Sequence, residues 1–252
     1  MMRPVHTNSS RRYRRQSKPG PTETAFQVVV EETDLWIVAR EDLSLAVHEH
    51  VRTLRGELKG YILCHPEFGK SLAPVPAAQE APALVRDMAR GAAACSVGPM
   101  AAVAGTIAQH VADRFASQSP DILVENGGDL YLHSTRERTI GLLPDPEQDA
   151  ALGLALKTAD FPLALCASSS FIGHSLSLGA GDLVVVRSRD GALADAAATA
   201  LCNILREQSD LNRIVDQAKK YSLGSPEHSI DGVFAQCGGK IAVWGAMELT
   251  SL

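Results

Sequence analysis

Asp195 and Thr199 stand four residues apart in the segment LVVVRSRDGALADAAATALCN (183–203), where most neighbours are alanine. On a helix, residues i and i+4 share a face, so a carboxylate and a hydroxyl turn toward whatever lies on that side. Two uses fit the pair. Both oxygens can contact one ligand held against a narrow, small-residue surface. Alternatively, the acid favours the helix N-terminus while the threonine returns its hydroxyl to the preceding turn. Residue type and spacing leave both open.

Three other stretches combine glycine with side-chain oxygen. Ser96-Val97-Gly98-Pro99 is a small-residue turn opening a helix, and the free backbone N–H groups at such a start suit a phosphate. In DILVENGGDLYLH, Asn126, Gly127, Gly128 and Asp129 join two strand-like runs. They form either a hairpin turn, where glycine supplies positive φ, or a place where a ligand meets bare backbone among the oxygens of Glu125, Asn126 and Asp129. CASSSFIGHSLSLGAGD gathers Ser168, Ser169, Ser170, His174, Ser175 and Ser177 around glycines, a hydroxyl-rich loop able to hold phosphate or sugar groups.

The elements that must position these residues follow from local pattern. LVVVRS is a β-branched run of buried-strand length that stops at the turn Arg189-Asp190-Gly191. Asp190 then caps a helix whose alanines lose no side-chain entropy on folding. FQVVV and LWIVA flank Glu32-Thr33-Asp34 as a hairpin, and Asp42 caps a predicted helix running to about Leu58. HPEFGKSLAPVPAAQEAP, with four prolines, reads as a long covering loop or a boundary. Pro82 opens a helix through LVRDMARGAAA, and a second helix follows Gly98-Pro99. In that second helix Ala101, Ala104, Gly105, Ala108 and Ala112 form a stripe against which another element must pack closely. IDGVFAQCGGKIAVWG is a hairpin turning at Gly238-Gly239. The pattern predicts an α+β fold.

Composition narrows the function classes. The 252 residues are 45% hydrophobic, enough for a proper core. Net charge is −5, yet Arg3, Arg11, Arg12, Arg14, Arg15 and Lys18 precede the first acid, Glu23. The remainder therefore holds 18 Lys and Arg against 29 acids, a charge of −11. An acidic body argues against a broad nucleic-acid footprint, and the basic first 22 residues read as a solvated, mobile tail before one domain spanning 23–252. The tail lacks an apolar signal-peptide core, and no run is long enough to span a bilayer. Five scattered cysteines without a C-x-x-C fit neither a disulfide framework nor a thiolate zinc site. The expectation is a cytoplasmic protein without a membrane or nucleic-acid partner.

ETDL, HPEF, VGPMAAVAG, VENGGDLYL, GHSLSLG and ADAAATALCN occur in the order found in a functionally uncharacterised bacterial and archaeal family related to the ApbE flavin transferases. The resemblance runs from about Arg12 to Gly245. NGGD, IGLLPDP, the serine-rich turn and ADAAATAL are also similar to the flavin transferases themselves. It implies an ApbE-like α+β fold with mixed or antiparallel sheets, and a cleft where the serine-rich loop, the Asn126 to Asp129 turn and the alanine-rich helix meet. In the flavin transferases such a helix holds Mg²⁺ at the FAD diphosphate through a carboxylate, a threonine hydroxyl and a nearby carbonyl. FMN is then moved to a threonine or serine of a partner protein and AMP is released. The resemblance thus assigns Asp195 and Thr199 to the metal. It assigns Gly98, Asn126, Gly127, Gly128, Asp129, Ser168, Ser169 and Ser170 to a flavin nucleotide such as FAD. Mg²⁺ suits a pair of protein oxygens, because waters and substrate phosphates complete its octahedron.

One departure bears on catalysis. In the transferases a histidine is followed three residues later by aspartate and proline, whereas this chain reads His174-Ser175-Leu176-Ser177. The insertion that covers the flavin is also missing between Ser170 and Leu183. His174 is the candidate catalytic base toward an attacking hydroxyl, or a phosphate-bonding group. Two functional classes follow: a Mg²⁺-dependent flavin or nucleotide transferase with a possible protein acceptor, or a carrier or sensor that binds flavin or nucleotide in the same cleft without turnover.

Overall fold

The computed structural model describes residues 14, 19–142, 152–169, 181–225 and 228–252. Strands β1 (Thr24–Val30) and β2 (Thr33–Ala39) form the first hairpin, closed at Glu31 and Glu32 with φ of 54° at Glu31. Helices α1 (Ser44–Cys64), α2 (Pro66–Lys70) and α3 (Ala83–Cys95) follow. A 3-10 turn (Pro99–Ala102) leads into α4 (Val103–Phe115). Next come β3 (Ile122–Asn126), β4 (Asp129–His133), β5 (Arg138–Leu142), β6 (Leu152–Leu156), β7 (Leu163–Ser168) and β8 (Leu183–Ser188). Helices α5 (Gly191–Ile204) and α6 (Leu211–Tyr221) precede β9 (Ile230–Cys237), β10 (Lys240–Gly245) and β11 (Leu249–Ser251).

Eight strands make one sheet in the order β1-β2-β3-β4-β7-β8-β9-β10, and β11-β6-β5 make a second. Every pairing among the described residues is antiparallel. The protein is therefore α+β with antiparallel sheets, in three layers. Strand alternation divides the core. On β7, Ala164 and Cys166 join the helices, whereas Leu163 and Leu165 meet Leu142, Leu154 and Leu156 of the small sheet.

The alanine-rich α5 is the centre of the helical layer, buried from Gly191 through Cys202. Two helices cross it at glycines. A Cβ on Gly91 of α3 would lie 2.6 Å from the Ala192 carbonyl. One on Gly105 of α4 would lie 2.4 Å from the Gly191 oxygen and 2.8 Å from the Asp195 Cβ. The small-residue stripe of α4 is thus explained by packing of α4 on α5, which carries Asp195 directly beneath the start of α4.

The helical boundaries differ from the sequence reading in two places. Helix α1 continues past Leu58 to Cys64 and stops at His65, where the following Pro66 disfavours helical backbone. The proline-rich stretch then opens on a helix of its own, α2. Its Phe68 is fully buried and meets the Tyr61 ring edge to face at 5.2 Å. No single helix among the described residues is long and apolar enough to cross a membrane.

Candidate functional site

The β3–β4 turn is shaped by backbone conformation. Gly127 and Gly128 have φ of +71° and +110°, values that side chains rarely adopt. A Cβ at Gly127 would meet nothing within 4 Å, so conformation and not crowding requires glycine there. Three bonds pin the turn. The Gly128 N–H donates to Glu125 Oε1 (2.9 Å), the Asn126 amide donates to the Ala104 carbonyl (3.1 Å), and the Ala167 N–H donates to Asp129 Oδ1 (3.2 Å). The Cys166 thiol, which donates to the Gly191 carbonyl at 3.8 Å, lies close enough to Asp129 to feel its charge. The turn is thereby tied to α4 on one side and to β7 on the other.

Asp195 reaches the same place from α5. Its Oδ2 accepts the Gly105 N–H at 2.8 Å, and the Ala104 N–H also bonds the carboxylate. Helix α4 has no side-chain cap of its own, so Asp195 satisfies first-turn donors that would otherwise be orphaned. Thr199, one turn along and also buried, behaves differently from its counterpart on α4. The Thr106 hydroxyl donates back to the Ala102 carbonyl, whereas the Thr199 hydroxyl has no hydrogen-bond partner among the described residues. Asp195 thus has a structural role, but at the start of α4 and not of its own helix, whose first turn holds no acid, while no hydrogen bond among the described residues returns the Thr199 hydroxyl to the preceding turn.

Electrostatics single out this spot. Burial pushes Asp195 up to about 7, against the opposing pull of the Gly105 and Ala104 N–H groups. Asp129 is raised well above the usual carboxylate range, first by burial and then by the charge of Asp195. Burial and the two neighbouring carboxylates raise the Cys166 thiol in turn. Neither Asp129 nor Asp195 makes an ion pair among the described residues. Such a pair must hold a proton or attract a cation. No group of three or more His, Cys, Asp and Glu is placed to hold a metal among the described residues, which is unlike a closed zinc site. Asp195 and the Thr199 hydroxyl, one turn apart on α5, are oxygens of the kind Mg²⁺ takes, since that ion needs few protein ligands and completes its shell with water and substrate oxygens.

The structure joins Asn126 and Asp195 through their bonds to Ala104 and Gly105, and sets Asp129, held by the Ala167 N–H, within electrostatic reach of Asp195; Gly128 is tied to Glu125, Gly127 is at the tip of the turn and Thr199 is on the next turn of α5. Ser168 and Ser169 are buried at the end of β7, just beyond Ala167, whose N–H holds Asp129. Gly98 is occupied elsewhere. A Cβ there would lie 1.9 Å from the Ser71 carbonyl, so this glycine admits the chain that follows α2. Ser170 and His174, with Ser175 and Ser177, lie outside the described residues. Sequence reasoning missed Cys166 and the Ala104 carbonyl. A thiol in an apolar strand and a backbone oxygen carry no motif, although the stripe containing Ala104 and Gly105 marked the close approach.

Comparisons with known proteins bear on the family and the fold. The family model described as AbpE bacteria matches residues 15–243. The chain is 35% identical over 219 residues to a UPF0280 protein of Methanospirillum hungatei, covering 85% of this chain and 84% of that protein. Among solved structures it is similar to the flavin transferase ApbE from Vibrio cholerae, with a TM-score of 0.55 and 11% identity over 89% of this chain and 97% of the other. It is similar also to the apo form of the Pseudomonas stutzeri flavinyl transferase ApbE, with a TM-score of 0.54 and 13% identity over 88% and 94%. These two likenesses establish a shared ApbE-like fold. On the family match and the extent of identity to its relatives, the chain belongs to the AbpE bacteria family, an ApbE-related family.

Proposed function

We propose that this protein binds a flavin-type nucleotide diphosphate together with Mg²⁺ in the cleft between the β3–β4 turn and α5, and transfers the flavin mononucleotide part to a hydroxyl acceptor. The observation that carries the reading is the buried pair Asp129 and Asp195, raised in pKa and, among the described residues, without an ion-pair partner, with Asp195 on the helix that also carries Thr199, whose hydroxyl makes no hydrogen bond among the described residues. A bound Mg²⁺ would offset the charge of these carboxylates and of the diphosphate. Asp195 and Thr199 would hold it. Backbone at Gly127 and Gly128 leaves room for the nucleotide to approach, and Ser168 to Ser170 would bond its phosphate or ribose oxygens.

The transfer balances without a redox step. An acceptor hydroxyl oxygen bonds to the FMN phosphorus, the bridging P–O bond breaks, and AMP leaves with the bridging oxygen. The hydroxyl proton passes to a base, a role proposed for His174. The resemblance suggests a side-chain hydroxyl of a partner protein as acceptor. A second reading, a flavin or nucleotide carrier, is favoured by one specific feature, the absence of an acid three residues after His174.

Incubating the protein with FAD and Mg²⁺ and resolving the nucleotides chromatographically tests the proposal. Mg²⁺-dependent appearance of AMP, lost in Asp195→Ala, is expected. FAD retained by the protein with no AMP formed would establish the carrier reading instead, and no binding of FAD would refute both.

A further inference from the structure

Glu125 is the hinge between the candidate site and a part of the chain remote from it in sequence. On β3 it follows strand alternation and points away from its neighbour Asn126. Asn126 is in register with Leu35 of the helical core, whereas Glu125 is in register with Leu130, which packs with the small-sheet cluster. Its carboxylate therefore lies on the side of the large sheet opposite α4 and α5. It still controls the turn, because Oε1 accepts the Gly128 N–H at 2.9 Å.

The other carboxylate oxygen is held by Arg14. This residue sits in the basic segment ahead of the first acid, one position before the stretch matched by the family model, and within the tail expected to be mobile. It is 5% exposed. Its Nε donates to Glu125 Oε2 at 2.5 Å, Nη1 donates to Asp34 Oδ1 at 2.7 Å, and Nη2 donates to the Asp34 carbonyl at 2.8 Å. Burial works against the Arg14 charge, and Glu125 and Asp34 more than offset it. Three directed bonds from one planar guanidinium to two strands fix Glu125 in position and orientation, which a point charge cannot do equally well.

We propose that Arg14 is a positioning residue of the cleft: by clamping Glu125 from the far side of the sheet, it sets the Gly127–Gly128 turn and with it Asn126 and Asp129. The basic N-terminal segment then contributes to the site through one buried side chain. The nucleotide-binding consequence rests on the function proposed above, whereas the effect on the turn does not.

The experiment uses the full chain labelled with ¹⁵N-glycine, in wild type, Arg14→Ala, Arg14→Lys and Glu125→Gln, and follows the Gly128 amide without any ligand. Loss of the clamp should shift this resonance and speed its hydrogen exchange about ten-fold in Arg14→Ala, with partial recovery in Arg14→Lys. Glycines remote from the turn, such as Gly56, should keep their resonances. Because Arg14→Ala removes a cation from beside the buried Glu125 carboxylate, Glu125→Gln supplies a variant without that negative charge. Adding Arg14→Ala to Glu125→Gln should change the Gly128 amide little further, as coupled residues are non-additive. FAD titrated with Mg²⁺ should bind about ten-fold more weakly to Arg14→Ala than to wild type. An unchanged Gly128 amide in Arg14→Ala overturns the proposal, as does a fully additive double variant. If wild type binds no FAD, the proposed function falls, and the Gly128 amide still decides the role of Arg14.

Discussion

Two buried acids at opposite ends of β3 show what burial does with and without partners. Asp121, just before β3, is 5% exposed, and Asp195, beside the turn at the far end, is 6% exposed. Asp121 accepts bonds from Arg40 Nε (2.9 Å), the Thr135 N–H (2.7 Å) and the Ser134 hydroxyl (3.1 Å). Burial works to raise its pKa, and the bonds from Thr135, Arg40 and Ser134 hold it well below the ordinary carboxylate range instead. Among the described residues Asp195 has backbone N–H partners alone, and burial prevails. The first acid closes a structural corner. The second keeps an unmet electrostatic demand, which is the physical signature of a site.

The largest expected effect comes from breaking the satisfied end. Asp121→Asn loses the charge-assisted bonds to Arg40 and should lower stability by about 2 kcal/mol, a melting shift of about 6 °C by thermal unfolding. Asp195→Asn keeps its shape and removes a charge that costs stability where it is. At pH 8 without metal it should melt at or above wild type. If the two variants lose equal stability, the contrast between the ends of β3 is wrong.

A smaller effect is expected from pH, with opposite signs for the two acids. Asp121, with its lowered pKa, contributes stability at neutral pH that is lost as pH falls below about 4. Asp195 has a raised pKa, so between the ordinary carboxylate value near 4 and about 7 the folded state binds more protons than the unfolded state. Stability from this group therefore falls as pH rises through that window. In EDTA, wild type should melt lower at pH 8 than at pH 5, and Asp195→Asn should flatten that slope. A slope unchanged in Asp195→Asn would place the titrating group elsewhere.

The same contrast explains how much was legible in the sequence. Hairpins that close on local chemistry, at Gly127-Gly128 and Gly238-Gly239, were readable, as was α5 with its Asp190 cap, whose side chain accepts the Leu193 N–H at 3.1 Å. The small sheet was not, because β11 pairs with β6 across the chain, Leu249 against Leu154, and such pairing leaves no local pattern. Helix α2 hid inside a proline-rich stretch because a proline at a helix start looks like one that ends a helix. At the site, Asn126, Asp129, Asp195 and Thr199 were visible as separate oxygen-bearing segments, and the resemblance to ApbE-related proteins supplied their convergence. Arg14 was invisible, since its partner Glu125 is 111 residues away and a single arginine in a basic run has no distinguishing spacing.

The central claim is that the unmet charge around Asp195 and Asp129 exists to receive a cation with a nucleotide diphosphate. Isothermal titration with FAD, in Mg²⁺ and in EDTA, measures this most directly. Wild type should bind about ten-fold or more tightly with Mg²⁺, Asp195→Ala should lose that gain, and Thr199→Val, which keeps the shape and deletes the hydroxyl, should lose about three-fold. Equal affinity of wild type in EDTA and Mg²⁺, or an Asp195→Ala variant that binds as tightly as wild type, would contradict the account and leave Asp195 as the cap of α4 alone.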